Sequence, residues 1–336
     1  MKAIDLFCGC GGLTQGLRQA GFRVVGAVEI DPLAAETYTM NHKSTRLWKG
    51  DIRALNTTDI MSGLGLAQGE LDLLAGCPPC QGFSSMRTRN GSREIDDPIN
   101  DLVFEFLRFV RAFRPKAIML ENVPGLYSDP RFFSIVRSLR GLGYRLDIRV
   151  IDVAGYAVPQ RRKRLILIGG LKKKIPIAAP SPRITTVRMT IAKLPAPGIS
   201  GDPLHDFPEN RNPRIISLIK CVPRDGGSRR DLPQSMQLSC HRKCDGYKDV
   251  YGRMRWDAVS PTITGGCVNP SKGRFLHPDQ NRCISLREAA LLQGFPLKYK
   301  FSLSRGKFPT AQMIGNALPP PFIRIQAKAI IQALMS

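Results

Sequence analysis

Four short stretches set reactive or charged side chains beside turn residues at the ends of apolar runs. One is Gly76-Cys77-Pro78-Pro79-Cys80-Gln81-Gly82-Phe83-Ser84, directly after the apolar run 71–76. Open α/β sheets usually hold their chemistry at the carboxyl ends of strands. A thiolate there is a strong nucleophile near neutral pH. Cys80 is therefore a candidate nucleophile. Other readings stay open. Cys77 and Cys80 form a Cys-x-x-Cys pair, suited to redox work or to half of a zinc site, with Cys240-His241-x-x-Cys244 as an irregularly spaced second half. A buried, inert thiol is the plain alternative.

In Leu120-Glu121-Asn122-Val123-Pro124-Gly125, Glu121 closes an apolar strand and falls on the same rim as Cys80. A carboxyl group on a dry rim is disposed to carry a proton; otherwise it is a surface glutamate at a strand end. Gln160-Arg161-Arg162-Lys163-Arg164 precedes another apolar run. Strand geometry would put Arg162 and Arg164 on one face, although a basic run taken alone is usually a solvated one.

Asp5-Leu6-Phe7-Cys8-Gly9-Cys10-Gly11-Gly12 follows the first apolar run. Glycines there let the backbone approach a ligand at a helix N-terminus. Glu29 lies twenty residues after Gly9, at the end of the second apolar run. A carboxylate there can hold both hydroxyls of a ribose. A dinucleotide fingerprint would need glycine where Thr14 stands, so the pattern favours a nucleoside cofactor without a pyrophosphate. Tight strand–helix packing alone would also require such a turn.

The elements that position these groups alternate. Residues 3–7, 23–30, 71–76, 117–120 and 165–169 read as buried strands, and 13–20, 101–113 and 132–142 as helices, with another after Asp31-Pro32. Leu146, Ile148 and Val150 alternate with Arg145, Asp147 and Arg149, which predicts a half-buried strand over 144–152. The result is an α/β mixed sheet with an antiparallel edge hairpin. After Gly170 the pattern dissolves. From about 180 to 285 the chain is rich in Pro and Gly and shows no strong helix, which predicts a small domain of short strands and loops. Helical spacing returns at 286–292 and 321–334.

The 336 residues are 43% hydrophobic and 23% charged, a globular composition. No stretch reaches the roughly 18 apolar residues of a membrane span. The first strand starts at Ala3, which leaves no room for a targeting peptide, and nine cysteines form an odd set; both favour a reducing, cytoplasmic setting. The net charge of +23 is spread along the whole chain, as expected of a protein whose partner is a large polyanion, most simply nucleic acid.

Taken together and in order, these motifs resemble the cytosine-5 DNA methyltransferases of the bacterial restriction–modification type. The resemblance adds Gly50-Asp51-Ile52, Ser260-Pro261-Thr262-Ile263-Thr264-Gly265-Gly266, the run from Arg287 to Pro296 and Ile314-Gly315-Asn316-Ala317-Leu318-Pro319. It covers roughly 1–170 and 256–323. It implies a Rossmann-like S-adenosylmethionine-dependent methyltransferase fold with a small, irregular, β-rich recognition domain. Implied boundaries are 1–180 for catalysis and cofactor binding, 181–285 for target recognition, and 286–336 for C-terminal helices returning to the catalytic domain.

The same resemblance implies residue roles. Cys80 would be the nucleophile, Glu121 would contact ring nitrogen 3 of cytosine, and Arg162 and Arg164 would help hold the base and the thiolate. Phe7, Gly9, Gly11, Glu29, Asp51, Ile52 and Asn316 would line S-adenosylmethionine. Gln81, Ser84 and Thr262 would meet DNA, Thr262 by supporting the backbone of the flipped nucleotide. Double-stranded DNA is the implied partner, with a cognate restriction endonuclease acting on the same site, and a monomer suffices. A tRNA cytosine-5 methyltransferase and an inactive DNA-binding protein are the alternatives. Cys8 and Cys10 depart from the family pattern and read as packing variants; Leu297 after the Gln-Gly-Phe-Pro run stands where the family often has an acidic residue, and neither departure touches a catalytic role.

Overall fold

The computed structural model describes residues 1–79, 98–238 and 249–336. These residues form two compact units. The first comprises Met1–Val153, Lys163–Pro180 and Leu318–Ser336; the second comprises Ala154–Arg162 and Ser181–Ala317.

The first unit is built on a seven-stranded sheet. In chain order its strands are β1 (Lys2–Leu6), β2 (Arg23–Glu29), β3 (Arg46–Lys49), β4 (Leu73–Gly76), β5 (Ala117–Asn122), β6 (Tyr144–Asp152) and β7 (Lys163–Leu171). Their spatial order is β3-β2-β1-β4-β5-β7-β6. The first five run parallel, while β7 is antiparallel to both β5 and β6. Central strands covered on both faces are mostly apolar; β4 and β5 are buried along their whole length, and only the last two residues of β5, Glu121 and Asn122, carry polar side chains. Strand β6 lies at the edge, which accounts for its alternating sequence.

Helices α1 (Gly12–Ala20), α2 (Pro32–Asn41), α3 (Thr57–Leu64), α4 (Leu102–Phe113) and α5 (Pro130–Gly141) connect the strands. Asp31 caps α2 by accepting the Ala34 N–H at 2.9 Å, and Asp129 caps α5 in the same way from Arg131 at 2.8 Å. Helix α4 buries Val103, Phe106, Leu107, Phe109, Val110 and Phe113 in the main core. The last helix of the chain, Pro320–Met335, packs on α1. Gly16 permits that approach, since a Cβ there would sit 2.5 Å from Ile323 Cβ and 2.6 Å from the Pro320 carbonyl. No helix among the described residues is long and apolar enough to cross a membrane.

The second unit is held together mainly by loops. Among the described residues its α-helices are α6 (Val187–Ile191), α7 (Pro213–Cys221), α8 (Leu286–Leu292) and α9 (Lys307–Asn316); the C-terminal Pro320–Met335 is α10. The short strands expected over 181–285 are, among the described residues, isolated bridges such as Arg253 with Leu276. Nor is the segment free of helix. Asn212 caps α7, Pro213 stands at its first turn, and Leu218 and Ile219 enter a small core. Flanking prolines disguise this helix in the sequence. Arg253, fully buried, fills the role a strand ladder would otherwise play. Its guanidinium donates to the carbonyls of Ile219, Val222, His277 and Gln280 and to Asn281 Oδ1, at 2.5–3.0 Å.

Candidate active site

After β1 the chain turns through three left-handed residues, Phe7 (φ 60°), Gly9 (φ 54°) and Gly11 (φ 92°). Glu29, at the end of β2, clamps this turn. Its Oε2 accepts the Gly9 N–H and its Oε1 the Asp31 N–H, both at 2.7 Å, while burial pushes its carboxyl pKa up. Each oxygen keeps a lone pair for a further donor. A Cβ at Gly9 or Gly50 would meet no atom within 4 Å, so both loops face open space. An acceptor pair beside two open glycine loops fits a ribose and its attached groups.

Beneath the turn, Thr14 is used rather than merely tolerated. Its Oγ1 donates to Asp5 Oδ2 at 2.6 Å and hydrogen-bonds the Tyr38 hydroxyl at 2.9 Å. Burial raises the Asp5 carboxyl to about 7. Cys8 and Cys10 are buried, and burial pushes the Cys10 thiol up to about 12. Both therefore stay protonated and pack. Asp51 follows β3 and caps the short turn Ile52–Ala54, but both its oxygens also hold the Arg53 guanidinium at 2.5–3.0 Å. Ile52 is buried.

At the carboxyl ends of β4 and β5 the second group of residues meets. Asn122 Nδ2 donates to the Pro78 carbonyl at 3.0 Å and so fastens the Cys77-Pro78-Pro79 segment to β5. Glu121 is buried, and its Oε1 accepts the Arg164 Nε at 2.7 Å. Cys77 lies beside this pair; burial, then the Glu121 charge, pushes its thiol pKa well up. Cys80, Gln81 and Ser84 lie outside the described residues, as do Cys240, His241 and Cys244.

In the second unit, Arg162 is buried and its Nη1 donates to the carbonyls of Ile263 (3.1 Å) and Gly315 (3.0 Å). The two arginines expected on one face thus serve different partners, because β7 begins only at Lys163. Thr262 Oγ1 donates to the Arg161 carbonyl at 2.6 Å. Asn316 ends α9, exposed, and accepts from Gln312 Nε2 at 3.0 Å. Asn122 and Gln160 stand inside sequence motifs that by themselves indicate no role for either. Asn122 sits beside Glu121 and Gln160 before a run of four basic residues, so no local pattern marks either as buried, although a buried amide must find internal partners.

A family model for C-5 cytosine-specific DNA methylases matches residues 1–332. The chain belongs to that family. It is 38% identical to the type II methylase M.HgiDII of Herpetosiphon aurantiacus, with 97% of this chain and 94% of that protein covered. It is 32% identical to the type II methyltransferase M1.HphI of Haemophilus parahaemolyticus, covering 98% of this chain and 86% of the relative. A crystal structure described as a DNA modification methyltransferase encoded within an E. coli prophage superposes with a TM-score of 0.77 at 24% identity, covering 100% of both chains, and shares the fold. Dnmt2 of S. pombe superposes with a TM-score of 0.63 at 18% identity, covering 99% of each chain. The chain is accordingly a DNA cytosine-5 methyltransferase, with the mixed α/β sheet expected from its sequence.

Proposed function

We propose that this methyltransferase takes its methyl group from S-adenosylmethionine and places it on carbon 5 of a flipped-out cytosine within one short word of duplex DNA, with Cys80 as a transient covalent nucleophile. The observation that carries the reading is the buried Glu121–Arg164 pair, at 2.7 Å, beside a Pro-Pro segment that Asn122 fastens to the same rim. Cys80 follows that segment in the sequence.

Each group has a task. Carbon 5 of cytosine is a weak nucleophile. Addition of the Cys80 thiolate to carbon 6 forms a carbon–sulfur bond and turns the ring into an enamine, nucleophilic at carbon 5. The Glu121 carboxyl supports a proton on ring nitrogen 3 as negative charge develops there. Arg164 orients Glu121 and, with Arg162, holds the base and the thiolate. S-adenosylmethionine, when bound, supplies the methyl group as an electrophile. Loss of the carbon 5 proton and expulsion of Cys80 restore the aromatic ring and the free thiol.

Glu29 takes the ribose hydroxyls, and Phe7, Gly9, Gly11, Asp51, Ile52 and Asn316 line the rest of the cofactor. For Asp51 this requires sharing its carboxylate with Arg53. Gln81, Ser84 and Thr262 meet the DNA. Extrusion of the base costs a few kcal/mol, and phosphate contacts from the basic surplus offset it. Residues 181–285 read the target word. The enzyme works as a cytoplasmic, nucleoid-associated monomer, and protects that word from a cognate restriction endonuclease.

Transfer of label from S-adenosylmethionine tests the proposal. Label in duplex DNA and not in tRNA is the expected result; label confined to tRNA would overturn it.

A further inference from the structure

Four segments of the second unit meet at two glutamine side chains, Gln160 and Gln293, both fully buried. Gln160 Oε1 accepts the Ile263 N–H at 3.1 Å, and its Nε2 donates to the Leu292 carbonyl at 3.1 Å and to Gln293 Oε1. Gln293 Nε2 in turn donates to the carbonyls of Ile314 (3.0 Å) and Ala317 (2.5 Å). Both hydrogens of both amides are used. The Ile263 N–H admits only an oxygen opposite it, so the orientation of the whole pair is fixed.

The ends of this chain of bonds bracket two residues with proposed contacts. Thr262 lies between Ser260, bonded through its backbone to Pro159 and Arg161 at 2.9 and 3.0 Å, and Ile263, held by Gln160. Asn316 lies between Ile314 and Ala317, whose carbonyls Gln293 holds at the end of α9. The last carbonyls of a helix lack their usual partners within it; here the Ile314 carbonyl accepts the Ala317 N–H at 3.2 Å, and a side chain from beyond the end of α8 adds a second donor to it and supplies one to the Ala317 carbonyl. Arg162 reinforces the same junction through the carbonyls of Ile263 and Gly315. Gly315 itself leaves no room for adjustment: a Cβ there would lie 2.3 Å from the Thr264 carbonyl carbon.

We infer that Gln160 and Gln293 are positioning residues, with Gln293 presenting Asn316 to the cofactor and Gln160 presenting Thr262 to the DNA backbone while orienting Gln293. The inference rests on the roles of Asn316 and Thr262 given above. An apolar residue of similar volume would fill the space but take the side-chain partner from the Ala317 carbonyl (at Gln293) or from the Ile263 N–H and Leu292 carbonyl (at Gln160), so the loss appears in ligand binding and not only in folding.

The test uses the full chain and two equilibrium measurements: S-adenosylmethionine binding by dialysis without DNA, and duplex DNA binding by gel shift. Gln293→Met is expected to weaken S-adenosylmethionine about tenfold, the scale of an unmatched buried hydrogen bond, with DNA affinity within twofold of the parent. Gln160→Met is expected to weaken both. Folded Met variants with both affinities unchanged would overturn the inference. Gln293→Glu provides a second readout should the Met variants not fold. A carboxylate would face two carbonyl oxygens, whereas its protonated form restores one donor, so S-adenosylmethionine affinity is expected to recover as pH falls from 8 to 6. A pH-independent affinity equal to the parent's would also overturn it. If the parent enzyme binds both ligands and transfers no methyl group, the reading of function fails, and the binding comparison still decides the roles of the glutamines.

Discussion

The Arg164 guanidinium meets the Glu121 carboxylate at 2.7 Å, Nε to Oε1, from neighbouring antiparallel strands, with both side chains largely shielded from water. Removing one partner of a buried ion pair costs more than the pair contributes, because the other charge is left uncompensated. Glu121→Gln keeps the shape and removes the proton carrier. We expect kcat to fall by about 10²–10⁴-fold, the usual contribution of a general acid, with DNA and cofactor affinities nearly unchanged. Single-turnover transfer of a labelled methyl group measures this, and a fall of less than tenfold would remove Glu121 from the chemistry.

Glu29 makes a separable prediction. Both its oxygens are engaged by backbone N–H groups at 2.7 Å, and each retains capacity for a ribose hydroxyl. Glu29→Gln replaces one acceptor with a donor that faces an N–H. S-adenosylmethionine affinity should drop about tenfold or more, read by equilibrium dialysis, while DNA binding holds. Unchanged cofactor affinity would contradict the assignment.

Much of this frame is legible in the sequence, and what is not has a physical reason. Strands β1, β2, β4 and β5 are mainly apolar runs because a parallel sheet is covered on both faces, and β7, antiparallel between β5 and β6, is apolar because it is buried from Leu165 to Gly170. Strand β3 is not legible, because its Arg46 and Lys49 ends are exposed and leave it no apolar run. Helix α7 hides behind Pro213, and α9 carries Pro309 within its first turn. Among the site residues, Glu29 and Glu121 could be read from their places at strand ends. The bonds that tie Asn122 to Pro78, or Gln160 to Gln293, run between segments 44 and 133 residues apart. Local pattern carries no trace of such contacts.

Packing between α1 and α10 yields a stability prediction. Gly16→Ala places a Cβ within 2.6 Å of both Ile323 and the Pro320 carbonyl. Backbone atoms on the partner helix cannot swing aside as a flexible side chain would. Overpacking of this kind costs about 1–3 kcal/mol, and denaturant unfolding should show a lower midpoint at unchanged slope. A parental midpoint would show that the two helices part freely.

Acid should destabilise the protein through two buried histidines. His42, desolvated and beside Arg18, is lowered from 6.5 to about 4, and burial lowers His277 to about 4 as well. His277 Nδ1 accepts the N–H groups of Asp279 (3.1 Å) and Gln280 (3.0 Å), which requires the unprotonated nitrogen. The unfolded chain takes up these protons near 6.5 and the folded chain only near 4. Their stabilisation is therefore complete above 6.5 and is lost as pH falls toward 4. Asp5, raised to about 7, acts in the opposite sense over the range between its ordinary 3.8 and that value, stabilising the fold as pH falls. His277→Asn keeps an acceptor and cannot charge in this range. It should flatten the fall in melting temperature between pH 6.5 and 5; a slope equal to the parent's would contradict the neutral, buried assignment.

Bisulfite sequencing of plasmid DNA incubated with S-adenosylmethionine and either the parent enzyme or Cys80→Ser tests the central claim most directly. The account predicts protected cytosines at a single position of one short recurring word with the parent, and none with Cys80→Ser although it still shifts that DNA on a gel. Protection by a clean Cys80→Ser preparation, or unprotected DNA from a folded parent enzyme with cofactor bound, would contradict it.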